Sequence, residues 1–250
     1  MIMLNTKKKM LLAAITALTA QQTHSAVALD RTRIIYDGGQ KNVSLNISNQ
    51  NKELPFLAQS WLEDEQGVKV NGPLIALPPV QRIEPGAKSM VKLQSMPEVR
   101  SLPQDRESLY YFNMREIPPR SDKPNVLQIA LQTRVKLFYR PDAIRPESNI
   151  DEEFKKISLT PQGSFYLVNN DTPYYFTVIN ASSKKTTDVD PKFVVQMIKP
   201  LSHTRLDVDP SAMGDHPVLT YINDYGARPM LTFNCIRNNC VVVDNDQRNK

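Results

Sequence analysis

The chain has 250 residues, with 31 Lys and Arg against 26 Asp and Glu, and only three histidines and two cysteines. Its formal charge of +5 falls to +2 if Lys7, Lys8 and Lys9 leave with an N-terminal export segment. The remaining cations are interleaved with acids rather than gathered into a basic stripe, which argues against nucleic acid as a partner.

Residues 1–25 read as a secretory signal peptide: three lysines, an apolar run from Met10 to Ala20, then a polar-to-small exit. The apolar run is shorter than the roughly 20 residues a helix needs to cross a bilayer, so no membrane insertion is expected. Small residues leave two cleavage points open, after Ser25 or after Ala28. The mature chain is then exported, and its length suits two domains.

The first domain is expected over residues 26–143. Short β-rich runs recur at Thr32–Tyr36, Val43–Ile47, Leu54–Leu62, Leu74–Ala76, Ser89–Leu93, Leu109–Met114 and Val126–Tyr139, separated by turn formers such as Asp37-Gly38-Gly39, Asn71-Gly72-Pro73 and Glu84-Pro85-Gly86. Their count and spacing are those of an immunoglobulin-like sandwich. The last run has no turn residue inside it and is long enough for two strands, so it is expected to extend past its own sheet. Within it Leu127, Ile129 and Leu131 alternate with Gln128, Ala130 and Gln132, placing large apolar side chains on one face. Such a face either packs on the domain's own core or invites another chain to pair with the edge.

Residues 141–153, PDAIRPESNIDEE, carry two prolines and little β-branched content and read as a linker. A second all-β domain is expected over 144–250, with runs at Phe154–Leu159, Ser164–Val168, Tyr174–Ile179, Phe193–Ile198, Thr204–Val208, Val218–Ile222, Met230–Asn234 and Cys240–Val243. In an exported chain Cys235 and Cys240 read as a disulfide stapling a hairpin, worth roughly 2 kcal/mol for so small a ring. The competing zinc reading lacks a second Cys or His pair. His203 and His216 read as surface loop residues. Neither neighbours a Gly-flanked serine or has metal-ligand spacing, so the sequence offers no catalytic constellation.

Taken in order, LDRTR from Leu29, LPFLAQSW from Leu54, PPVQRIEPGAKSMVKL from Pro78, LPQDRESLYYFNMREIPPR from Leu102 and YINDYG from Tyr221 resemble the PapD-type periplasmic pilus chaperones. The likeness is dense in the first domain and thinner from Asp142 to Pro217. It implies two immunoglobulin-like domains in a boomerang with a cleft between them, working in chaperone-usher assembly of fimbriae. The client is an incomplete sandwich to which the chaperone lends an edge strand, and no cofactor, metal or catalysis is implied. Leu127, Ile129 and Leu131 match the donor strand. Arg33 and Lys136 match two cations that hold the client's C-terminal carboxylate, a task suited to a planar guanidinium and a point-charge ammonium. Glu107, Arg140 and Asp224 match a charged trio bridging the domains, read as an ordinary surface network that sets orientation more than stability.

The expected partners are fimbrial subunits and the outer-membrane usher, with a monomer when a client is bound and self-association through the free edge otherwise. Strict alternation puts Lys136 on the face opposite Leu127, Ile129 and Leu131, so a bulge or strong twist is expected between them. Lys92 stands where some members carry arginine near the donor-strand surface. The short Arg120–Pro124 loop resembles the short-loop subclass. The rival reading, a fimbrial subunit or adhesin, is opposed by two complete strand sets, since such a subunit lacks a strand.

Overall fold

The computed structural model describes residues 25–123 and 125–243; the signal-peptide reading lies outside them. Among the described residues, no helix is long and apolar enough to cross a membrane.

The first domain is a sandwich of two sheets. One sheet runs β1 (Val27–Leu29), β3 (Asn42–Asn49), β8 (Lys88–Ser95), β6 (Leu74–Leu77). The other runs β2 (Arg33–Asp37), β10 (Gln132–Arg140), β9 (Ser108–Ile117), β4 (Phe56–Glu63), β5 (Lys69–Val70), with β7 (Val80–Ile83) also paired to β4. Alternation decides which side chains fill the space between them. Phe56, Ala58 and Leu62 of β4 point inward, as do Leu45 and Ile47 of β3, Val91 and Leu93 of β8, and Ile34 and Tyr36 of β2. The short strands β1, β5 and β7 escape sequence reading because two to four residues hold too little alternation to register.

The second domain threads eight strands: β11 (Ser158–Gln162), β12 (Phe165–Asn170), β13 (Phe176–Ser182), β14 (Gln196–Ile198), β15 (Ser202–Leu206), β16 (Val218–Tyr221), β17 (Met230–Ile236) and β18 (Asn239–Val242). Strand β17 joins the two layers. Its residues 230–232 pair with β16 and its residues 233–236 pair with β18. An aromatic cluster of Phe154, Phe176 and Tyr221 fills this core, with ring centroids 5.0–5.2 Å apart. Cys235 and Cys240 face one another across the β17–β18 hairpin and are disulfide-bonded.

The segment read as a linker is ordered. It forms a 3-10 turn over Asp142–Ile144 and a short helix over Ile150–Glu153, capped by the Asn149 side chain. The next run, read as a strand from Phe154, starts as another 3-10 turn and becomes β11 only at Ser158. The cause is burial: Ile150 and Phe154 are drawn into the second core. His203 is exposed on β15 rather than in a loop, and His216 is an exposed loop residue.

Candidate functional site

Strand β10 pairs with β9 along nearly its whole length, from Gln132 to Tyr139. On its other side the parallel neighbour β2 covers only Lys136–Arg140. Gln132–Val135 therefore has no strand beside it on that side among the described residues. Upstream, residues 125–131 form no strand, contrary to the reading of one strand from Val126 to Tyr139. The physical reason is that β9 ends at Ile117, so this stretch has no ladder partner beyond one bond from the Glu116 amide to the Leu131 carbonyl. It nonetheless carries the alternating apolar set, and Leu127, Ile129 and Leu131 are 85%, 65% and 42% exposed. They do not face their own core.

The expected bulge is absent. The register of β10 runs without a shift against both neighbours, and the chain simply leaves the sheet at Leu131. Inside β10, Leu137 and Tyr139 face the first core, while Lys136, Phe138 and Arg140 face the second domain.

Arg33 and Lys136 occupy the point where β2 begins to cover that edge, as register partners in the β2–β10 pair. Arg33 donates from Nη1 to the Ile222 carbonyl of the second domain at 3.0 Å and lies over the Phe138 ring. Neither cation has a carboxylate within ion-pair distance among the described residues. Burial, and then the neighbouring Arg33 charge, hold the Lys136 ammonium below its usual pKa. Burial also lowers Arg33, with Asp224 and Glu107 pulling the other way. Beside Arg33 opens a cleft of about 570 Å³ lined by Asp30, Arg31, Thr32, Arg33 and Ile35 of the first domain and Asp224 and Tyr225 of the second, so two carboxylates stand with two guanidiniums around it. The uncovered edge of β10 thus ends at two cations that form no ion pair among the described residues.

The trio under the cleft is a joined unit. Arg140 reaches Glu107 at 2.7 Å and Asp224 at 2.8 Å. It is not the surface network read from sequence: the Arg140 and Glu107 side chains are 9% and 2% exposed. Burial pushes the Glu107 carboxyl up to about 7, against the Arg140 charge and the Tyr175 amide, which donates to it at 2.8 Å. Asp224 is held by a turn built on Asn223, whose side-chain oxygen accepts from the Tyr225 and Ala227 amides. Gly226 closes that turn at φ +78°, where a Cβ would lie 2.9 Å from Thr32 Oγ1. Only glycine allows this approach without strain.

Sequence reading overlooked Tyr175 and Asn223, because one tyrosine or asparagine in a β-rich run carries no distinguishing signal. It placed Lys92 near the donor segment, but Lys92 lies on β8, in the sheet that does not hold β10.

An exposed apolar row, a cation pair where a strand edge becomes uncovered and two immunoglobulin-like sandwiches define a protein built to hold another polypeptide. Residues 26–145 match the pili and flagellar-assembly chaperone PapD N-terminal domain, and residues 152–233 match the pili assembly chaperone PapD C-terminal domain. The chain belongs to this family of pilus-assembly chaperones, which are not enzymes. It is 50% identical over 237 residues to chaperone protein PapD of Escherichia coli, covering 94% of this chain and 98% of that one. It is 46% identical over 239 residues to the probable fimbrial chaperone YfcS of Escherichia coli K12, covering 96% and 94%. The crystal structure of the YadV chaperone aligns with a TM-score of 0.67 at 31% identity, covering 84% of this chain and all of that one.

Proposed function

We propose that this protein is a periplasmic chaperone that captures fimbrial subunits by lending them residues 125–131 as a strand, and then passes them to the outer-membrane usher. The observation carrying this reading is an exposed apolar row at Leu127, Ile129 and Leu131 that leads into the uncovered Gln132–Val135 edge of β10, with Arg33 and Lys136 at the edge's far end. Backbone pairing along an edge supplies affinity, and alternate side chains entering a groove supply fit. Burying each of Leu127, Ile129 and Leu131 is worth roughly 1.5–3 kcal/mol before ordering costs.

The direction of the client strand follows from the position of the cations. A carboxylate gripped by Arg33 and Lys136 is a chain end, and the uncovered edge lies wholly upstream of Lys136. The client's last strand therefore runs parallel to β10, in line with β2, which occupies the same edge farther on. Fixing the end also fixes register, since a slip of one residue would present the opposite face.

Domain limits at residues 26–143 and 144–250, an N-terminal signal removed on export, membership of the short-loop subclass, a monomeric client complex and self-association of the free protein complete the proposal. The test is co-expression with a fimbrial subunit followed by pull-down. Arg33→Ala and Lys136→Ala are each expected to abolish subunit recovery while circular dichroism stays unchanged. Undiminished recovery by both variants refutes the anchor.

A further inference from the structure

The charged trio and the Arg33–Ile222 hydrogen bond tie the domains together beside the cleft. A further tie, away from the cleft, centres on Tyr175, just ahead of β13. Its hydroxyl donates to Glu65 Oε1 at 2.5 Å, and Lys199 Nζ meets Glu65 Oε2 at 2.7 Å. Glu65 belongs to the turn after β4 in the first domain; Tyr175 and Lys199 flank β13 and β14 in the second. Tyr175 is 9% exposed, and its ring packs on Phe138 with centroids 5.4 Å apart, within a small apolar cluster that includes Leu109. Its amide donates to Glu107. One residue thus touches the first domain through its amide, its ring and its hydroxyl. Burial raises the Glu65 carboxyl, but the bonds from Lys199 and Tyr175 prevail and hold it below its ordinary value, so it is ionised and accepting.

This cluster connects to the cleft by direct contact. Phe138, clamped by Tyr175, lies beneath the Arg33 guanidinium, which is 5.8 Å from its ring centroid. The same guanidinium is oriented by the Ile222 carbonyl, a second-domain group. A rotation of the second domain moves the Ile222 carbonyl and the Tyr175 ring that packs on Phe138, so it disturbs both supports of Arg33. The Arg140 trio alone would leave a rotation about itself unopposed; a second tie on another loop removes that freedom.

We infer that Glu65, Tyr175 and Lys199 form a second interdomain latch that positions Arg33 for a client carboxylate. The inference rests on the carboxylate-anchor reading above. Glu65, Tyr175 and Lys199 are positioning residues and touch no client themselves.

The test uses Tyr175→Phe, which keeps the ring on Phe138 and removes only the hydroxyl, and Lys199→Glu with its partner-swapped double variant Glu65→Lys/Lys199→Glu. Double electron–electron resonance between one spin label in each domain reads orientation without any client, and titration with a fimbrial subunit reads affinity. Tyr175→Phe and Lys199→Glu are expected to broaden the interdomain distance distribution. They should weaken subunit binding roughly threefold to tenfold, the range one such hydrogen bond spans, and the swapped pair should recover both readouts. Unchanged distributions in both single variants overturn the latch, and broadened distributions with undiminished affinity overturn its positioning role. If the unaltered protein bound no subunit, the anchor reading would fail and with it the positioning of a client, while the distance distributions would still decide the latch.

Discussion

Arg33 and Lys136 stand side by side as register partners of two parallel strands, on the face turned toward the second domain. Like charges so placed raise the energy of the free protein; Asp224 and Glu107 offset this for Arg33, and a bound anion would offset it for Lys136 as well. The site is thus built at a cost to the empty state that a bound carboxylate would remove.

From this follows a trade between stability and function. Lys136→Met keeps the length of the side chain and removes one of the two charges. After solvent screening the gain is about 0.5–1 kcal/mol, or roughly 1–4 °C in the melting temperature of a chain this size. Differential scanning calorimetry of the client-free protein should show the rise, and the same variant should recover no subunit. A lower melting temperature would mean that the ammonium is stabilised by something other than a client.

Ile129 separates binding from folding. It is 65% exposed and has no role in either core, so Ile129→Asp should change stability by no more than about 0.5 kcal/mol. In a client's groove the new carboxylate would be buried without a partner, and capture should fail. Protection of a co-expressed subunit from periplasmic proteolysis measures this, and protection at the unaltered level would defeat the lent-strand account.

The buried Glu107 carboxyl gives a pH signature. Its folded value of about 7 lies above the ordinary 4.5, so between these limits the folded state holds the proton more tightly than the unfolded one. The Glu107 contribution is present below about pH 4.5 and is lost as pH rises through about 7, with a difference on the order of 3 kcal/mol. Glu107→Gln cannot titrate; its one side-chain oxygen can replace only one of the two acceptors that Arg140 and the Tyr175 amide use, so the comparison reads the slope with pH rather than stability at a single pH. Urea unfolding from pH 5 to 8 should show the unaltered protein losing stability relative to the variant. Parallel profiles would place the titration elsewhere.

Removing the Cys235–Cys240 bridge acts on one hairpin. Its ring is small, so Cys235→Ser with Cys240→Ser should cost about 2 kcal/mol and lower the melting temperature by roughly 4–8 °C. Binding should persist. Failure of the protein to fold would mean that β18 depends on the bridge, since β18 also pairs with β11.

The sequence by itself determined the all-β class, the β-rich runs that become β2, β3, β4 and β8, the disulfide pair, and the apolar row at Leu127, Ile129 and Leu131. Each is a local matter of period-two alternation or of residue type in an oxidising compartment, and the match to the chaperone family extended that reading to Arg33, Lys136 and the charged trio. Tertiary structure alone decided that β2 covers only half of the β10 edge, that residues 125–131 stay outside the sheet, that the Arg140 trio is buried, and that Tyr175 joins the domains at three points. Those outcomes depend on which distant segments meet, and alternation within one strand holds no information about what lies along its edge.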